Sequence, residues 1–147
     1  MANVYAPAAA LPVALAASTG FLLSKATQRA VAEVEGALEA LGIRTRHYGV
    51  LAGLAEAGPL SQQRLGEWLR VDRTTMVGIV DDLERLGLVM RRRLPSDRRA
   101  YALELTPAGG TMLARGREMI AAAEARALAA LSASERRQLH DLLERLV

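Results

Sequence analysis

One short stretch, Leu60 to Thr106, changes hydrophobic period from helical to strand-like, and few folds can accommodate that change. Ser61 to Leu69 (SQQRLGEWL) places Leu65 and Leu69 four apart, which predicts a short helix. Ser61 is its cap, and Leu60 with Leu65 has the spacing of a hydrophobic staple. Arg70-Val71-Asp72 reads as a turn. Arg73 to Leu86 (RTTMVGIVDDLERL) predicts a second helix whose apolar face is Met76, Ile79, Val80, Leu83 and Leu86 and which stops at Gly87. Leu88 to Leu94 and Ala100 to Leu105 read as two strands around Pro95-Ser96-Asp97-Arg98-Arg99. In the second strand Tyr101, Leu103 and Leu105 alternate with Ala100, Ala102 and Glu104, the period of a half-buried strand.

Helix, tight turn, helix and arginine-tipped hairpin together make a winged helix-turn-helix. Its mechanical meaning is one helix shaped for the major groove of double-stranded DNA and a basic hairpin for the backbone or minor groove beside it. Charge placement agrees. Nine arginines face six acidic residues between Arg64 and Arg99, while the ten bases and ten acids elsewhere cancel, so the net +3 lies in this stretch. A polyanionic partner follows from that concentration.

The flanks are helical. Pro12 suits the first turn of a long helix ending at Leu41 before Gly42, with Phe21, Leu22, Val31, Val34, Leu38 and Leu41 on one face. Gly20 and Gly36 weaken it, at about 1 kcal/mol each relative to alanine. Thr45 is the expected cap of a helix over 46–57 that turns Val50, Leu51 and Leu54 inward and ends at Gly58-Pro59. Thr106-Pro107 opens a helix to about Leu131, and the capping box Ser132-Ala133-Ser134-Glu135 opens a last one to Val147, with Leu139, Leu142, Leu143 and Leu146 on one side. These flanks exceed what the central stretch needs for cover. A homodimer with intertwined terminal helices uses the surplus; a monomer folding them onto its own core is the other arrangement. The expected fold class is therefore mainly α with a small β-hairpin wing. Residues 1–147 form a single domain: an N-terminal dimerisation helix over 11–43, the winged helix-turn-helix over 44–106 and C-terminal dimerisation helices over 107–147.

At 147 residues and 51% hydrophobic content the chain can bury one core, and at 3% aromatics that core is mostly Leu, Val and Ala. Zero cysteines exclude disulfides, thiolate metal sites and thiol redox switches within the chain. The apolar start, Val4 to Ala17, has no basic residue before Lys25 and is too short to span a bilayer, so a cytoplasmic protein without a membrane partner is expected.

Four groups of residues, Asp72-Arg73-Thr74-Thr75, Val80 to Val89, Asp97-Arg98-Arg99-Ala100 and Leu105 to Gly109, together resemble the MarR family of bacterial transcription regulators. The similarity runs from about Phe21 to Val147. The resemblance implies a homodimeric repressor whose hold on a pseudo-palindromic operator is changed by a small phenolic or lipophilic effector. The thiol-sensing branch of the family is closed to a chain without cysteine. Two departures stand out. Val77-Gly78 replaces the Thr or Ser followed by Arg that is common in the recognition helix, and Asp82 stands where a base is common.

The candidate DNA-binding residues follow. Asp97-Arg98-Arg99 matches the family's Asp-x-Arg wing motif, which implies that Arg99 enters the minor groove while Asp97 orients it. A narrow minor groove concentrates negative potential that suits a guanidinium at a hairpin tip. Arg91 and Arg93 share one strand face and are expected at phosphates, with Arg92 on the other face. Arg73, Thr74 and Thr75 open the recognition helix towards phosphate or base edges, although Thr74 and Thr75 also suit plain capping. Ser61 and Gln62 are expected to hold the backbone, and Asp72 to cap rather than touch DNA. Phe21, His47, Tyr48 and Trp68 are candidates for an effector pocket, with ordinary packing as the competing role. No cofactor and no metal is expected, since the two histidines are isolated.

An enzyme is disfavoured by the lack of a nucleophile elbow, HExxH or phosphate loop. A helical protein-interaction module of the same fold, with weak or lost specific DNA binding, draws support from Val77, Gly78 and Asp82 and is opposed by the arginine wing.

Overall fold

A computed structural model describes residues 11–147 apart from 95 and 96, and it leaves the side chains of 94–100 outside the description. The order is α1 (Val13–Ala16), α2 (Thr19–Glu39), α3 (Thr45–Ala57), α4 (Gln62–Leu69), α5 (Arg73–Arg85), β1 (Val89–Leu94), β2 (Asp97–Leu105), α6 (Pro107–Ala127) and α7 (Ala133–Glu144). β1 and β2 pair antiparallel with Val89 opposite Leu105 and Arg93 opposite Tyr101. Among the described residues no helix is long and apolar enough to cross a membrane.

The core gathers Leu38 from α2, Leu51 from α3, Leu65 from α4, Met76 and Leu83 from α5, and Leu103 from β2, all fully buried. α5 packs against α3, α4 and β1. Leu60 adds a backbone bridge to Leu103, donating its N–H at 3.2 Å and accepting at 2.7 Å, which ties the α3–α4 connection to the hairpin. Left-handed glycines close helices where expected, Gly58 after α3 at φ 72° and Gly87 after α5 at φ 70°.

Three expectations are corrected. The helix predicted from Pro12 to Leu41 breaks at Ala17 and Ser18, because the Ser18 hydroxyl accepts the Phe21 N–H at 3.3 Å and begins α2 afresh. Thr45 is not the cap of α3: Arg44 is, and its N–H is accepted by His47 Nδ1 at 3.1 Å, so His47 stands where a capping box usually has Glu or Gln. In β2 the inward alternation fails at Tyr101, which is 45% exposed, while Ala102 is buried beside Leu103. The hairpin extends past the body there. Only its base, around Leu103, has the core to pack on.

α6 leaves the hairpin through a crowded junction. The Thr106 hydroxyl accepts the Gly109 N–H at 3.0 Å and lies 2.7 Å from the Gly87 carbonyl. Gly109 is packed so tightly that a β-carbon would lie 2.1 Å from the Leu88 carbonyl oxygen. α6 then runs along α2, where Arg126 Nε donates to Glu33 at 3.0 Å. α7 buries none of its residues.

Candidate nucleic-acid interface

Short-range capping decides how the end of α5 is presented. Arg70 takes a left-handed conformation (φ 54°), which turns the chain sharply between α4 and α5. Asp72 then accepts the Thr75 N–H at 3.0 Å, and hydrogen bonds from Thr75, side chain first and then backbone, hold the Asp72 carboxyl below the usual carboxylate range. Arg73 and Thr74 are thereby left exposed, with Thr75 half-buried, on the first turn of α5. Ser61 caps α4 by accepting the Arg64 N–H at 3.3 Å, placing Gln62 at the near end of the neighbouring helix.

Two clefts flank this first turn. On one side, Gln62, Gln63 and Arg70 from the α4 region, Arg73 and Val77 from α5, and Tyr101 from β2 line a cleft of about 980 Å³. Arg93 lies over the Tyr101 ring at 5.6 Å, so the wing presents a cation and a phenol together at this edge. The sequence pattern had placed Tyr101 inward. Its exposure was legible only from the hairpin register, which sets it opposite Arg93. On the other side, Thr74, Thr75, Gly78, Ile79 and Asp82 face Arg44, Arg46 and His47 across a cleft of about 360 Å³. Arg44 and Arg46 carried no expectation.

The wing arginines separate in role. Arg91 donates to Asp81 at 3.1 Å and also pairs with Glu84, so its guanidinium ties β1 to the middle of α5. Arg92 pairs with Glu104 at 3.3 Å on the opposite face. Arg93, with no carboxylate partner among the described residues, is the wing base left towards solvent. The side chains of Asp97, Arg98 and Arg99 lie outside the described residues.

The candidate effector residues have separate packing partners. Phe21 lies under the Lys25 ammonium at 5.5 Å. Tyr48 packs against Gly116 of α6, and Trp68 against Gly53 of α3. His47 is buried, with Nε2 3.5 Å from Asp82 Oδ2. Burial pushes the His47 pKa below its ordinary value, the Arg46 and Arg44 charges add to that, and Asp82 opposes it. Neither cleft beside α5 is lined by Phe21, Tyr48 or Trp68. Among the described residues no group of three or more His, Cys, Asp or Glu is placed to hold a metal ion.

Comparison with known proteins points one way. A model of the MarR family matches residues 44–101. The chain is 39% identical over 105 residues to a putative transcriptional regulatory protein for the hcr operon of Thauera aromatica, covering 71% of this chain and 63% of that protein, so it spans less than two thirds of that relative's length. It is 31% identical over 130 residues to the HTH-type transcriptional repressor Rv2887 of Mycobacterium tuberculosis, covering 88% of this chain and 94% of that one. The crystal structure of Rv2887 in complex with DNA superposes with a TM-score of 0.77 at 30% identity, over 88% and 98% of the two chains. Its complex with salicylic acid gives 0.73 at 30% identity, over 89% and 97%. A probable transcriptional regulator from Pseudomonas aeruginosa gives 0.79 at 34% identity, over 90% and 99%. The agreement extends through both flanking helices as well as the central unit, and this chain belongs to the MarR family.

Proposed function

We propose that this protein is a transcriptional repressor that binds double-stranded DNA sequence-specifically as a homodimer and is released by a small phenolic or lipophilic effector. The observation that carries the reading is the first turn of α5, held out by the Asp72 cap between two clefts and flanked by a basic hairpin. A helix so presented enters a major groove, and a dimer sets two of them about one helical turn apart on a pseudo-palindromic site. Rv2887, whose fold this chain shares along nearly its whole length, has been captured with DNA and with salicylic acid. The exposed Leu22, Leu23, Leu142 and Leu146 of α2 and the C-terminal segment support a partner subunit.

Within this reading Arg73, Thr74 and Thr75 meet base edges and phosphates, while Ser61 and Gln62 hold the backbone beside them. Arg93 meets phosphate from the wing. Arg91 positions the wing against α5 through Asp81 and Glu84. Asp97, Arg98 and Arg99 form the minor-groove tip. The protein acts in the cytoplasm as a binding protein rather than as an enzyme.

The test is fluorescence anisotropy with the intergenic DNA upstream of the protein's own gene, across a salt series. Tight binding that weakens steeply with salt, and that Arg99→Ala damages without lowering thermal stability, is the expected outcome. Binding that is absent or insensitive to salt on several promoters would defeat the reading and favour the interaction module.

A further inference from the structure

The cleft between α3 and α5 is lined on the recognition-helix side by Thr74, Thr75, Gly78, Ile79 and Asp82. A β-carbon on Gly78 would find nothing within 4 Å, so the recognition helix has a bare patch there. Asp82 brings a negative charge, but Arg85 pairs with it and His47 faces it at 3.5 Å. The opposite wall carries Arg44 and Arg46, both exposed. Among the described residues neither guanidinium has a carboxylate within ion-pair distance. The nearby Glu35 carboxylate is engaged by the Thr45 N–H at 3.5 Å. The α5 wall of this cleft carries no Lys or Arg, and the cations that line it are Arg44 and Arg46 across from Thr74 and Thr75.

We infer that Arg44 and Arg46 form a phosphate clamp on the duplex, gripping the DNA backbone on the α3 side of α5 while α4 and the wing grip the other. The inference rests on the functional reading above. A helix seated in a major groove about 12 Å wide has a phosphate backbone on each flank. On one flank this protein offers Gln62, Gln63, Arg70 and Arg93; on the other the available cations are Arg44 and Arg46. Charge complementarity selects a polyanion, and the shared cleft with Thr74 and Thr75 places it where the duplex must pass. Contacts of this kind position the protein without reading sequence.

The experiment measures DNA affinity against salt for wild type, Arg44→Ala, Arg46→Ala and Arg46→Lys, on the operator and on a scrambled duplex of equal length. Each phosphate contact contributes about 0.9 to the slope of log K against log salt, and each substitution occurs twice per dimer. Each alanine variant is expected to lower the slope by about 1.8 and to weaken both duplexes by the same factor. Arg46→Lys is expected to retain the slope. Unchanged thermal melting excludes misfolding and is the expected result for two exposed side chains that form no ion pair among the described residues. Wild-type slope and affinity in both alanine variants would overturn the clamp while leaving the functional reading intact. So would variants that keep DNA binding yet lose release by added salicylate, since the cleft would then be an effector site. A wild-type protein with no salt-dependent binding would remove the functional reading itself, and the clamp with it.

Discussion

α5 and α7 both carry apolar residues at helical spacing and dispose of them in opposite ways. In α5, Met76, Ile79, Val80 and Leu83 are all buried against α3, α4 and the hairpin. In α7 nothing is buried, and Leu142 is 49% exposed. α2 resembles α7 over most of its length, with Leu22, Leu23 and Val31 exposed, and buries residues only at Ala37 and Leu38. The central unit therefore closes on itself, whereas the flanks present apolar faces that the described residues of one chain do not cover. An apolar face at that spacing is unfavourable in water unless a second surface removes it. The two regions should respond differently to the same kind of substitution.

The largest effect is expected where the regions join. Gly109→Ala would drive a β-carbon towards the Leu88 carbonyl, which already accepts the Thr106 N–H at 3.1 Å and cannot withdraw without breaking that bond. A loss above about 4 kcal/mol, or failure to fold, is expected in urea denaturation, because backbone rather than a flexible side chain must give way. A variant within about 1 kcal/mol of wild type would show that the α6 junction is looser than its packing. Next, Leu83→Ala should cost about 2–5 kcal/mol at any protein concentration. Leu146→Ala should leave a dilute monomer within about 0.5 kcal/mol and instead shift a concentration-dependent dimer equilibrium, read by sedimentation. If Leu146→Ala proved as costly as Leu83→Ala at every concentration, the contrast between the regions would fail. A modest drop in thermal melting temperature, well short of that for Leu83→Ala, is expected for Asp72→Ala, which removes the acceptor of the Thr75 N–H.

Much of this was legible in the sequence because the central unit is locally determined. Ser61, Asp72, Thr106 and Ser132 each cap the helix that follows, and each accepts from the residue three positions on. Such bonds depend on the neighbouring residues alone, so reading them needed no tertiary information. What was missed depended on distant contacts. Tyr101 alternates correctly with Leu103, but alternation does not say where the body ends beneath the hairpin. Arg91 and Arg93 are indistinguishable by spacing; only α5, with Asp81 and Glu84, separates a strut from a free base. Arg44 and Arg46 attracted no reading because the facing wall of their cleft lies about thirty residues further along the chain. His47 was read as a packing or effector residue, whereas its ring also caps α3.

That cap gives the finest test of how the central unit is held. His47 Nδ1 accepts the Arg44 N–H, which leaves the neutral ring with its proton on Nε2, towards Asp82. A proton on Nδ1 would turn the acceptor into a donor facing another donor, and Arg44 and Arg46 add a like charge nearby. Burial is nonetheless the main reason that the folded-state pKa falls below the ordinary 6.5. With the folded pKa depressed, the unfolded chain takes up the proton first as pH falls. The contribution of His47 is therefore fully present above about 6.5 and is lost progressively as pH drops through the folded value. His47→Gln retains an acceptor for the Arg44 N–H without a titrating ring. Urea midpoints at pH 7.5 and 5.5 should fall further for wild type than for His47→Gln, the difference isolating His47 from the carboxylates that titrate lower. Parallel losses in both proteins would mean that His47 is protonated as readily in the folded chain as in the unfolded one, and that burial in the central unit is weaker at the α3 cap than at Leu51 or Leu83.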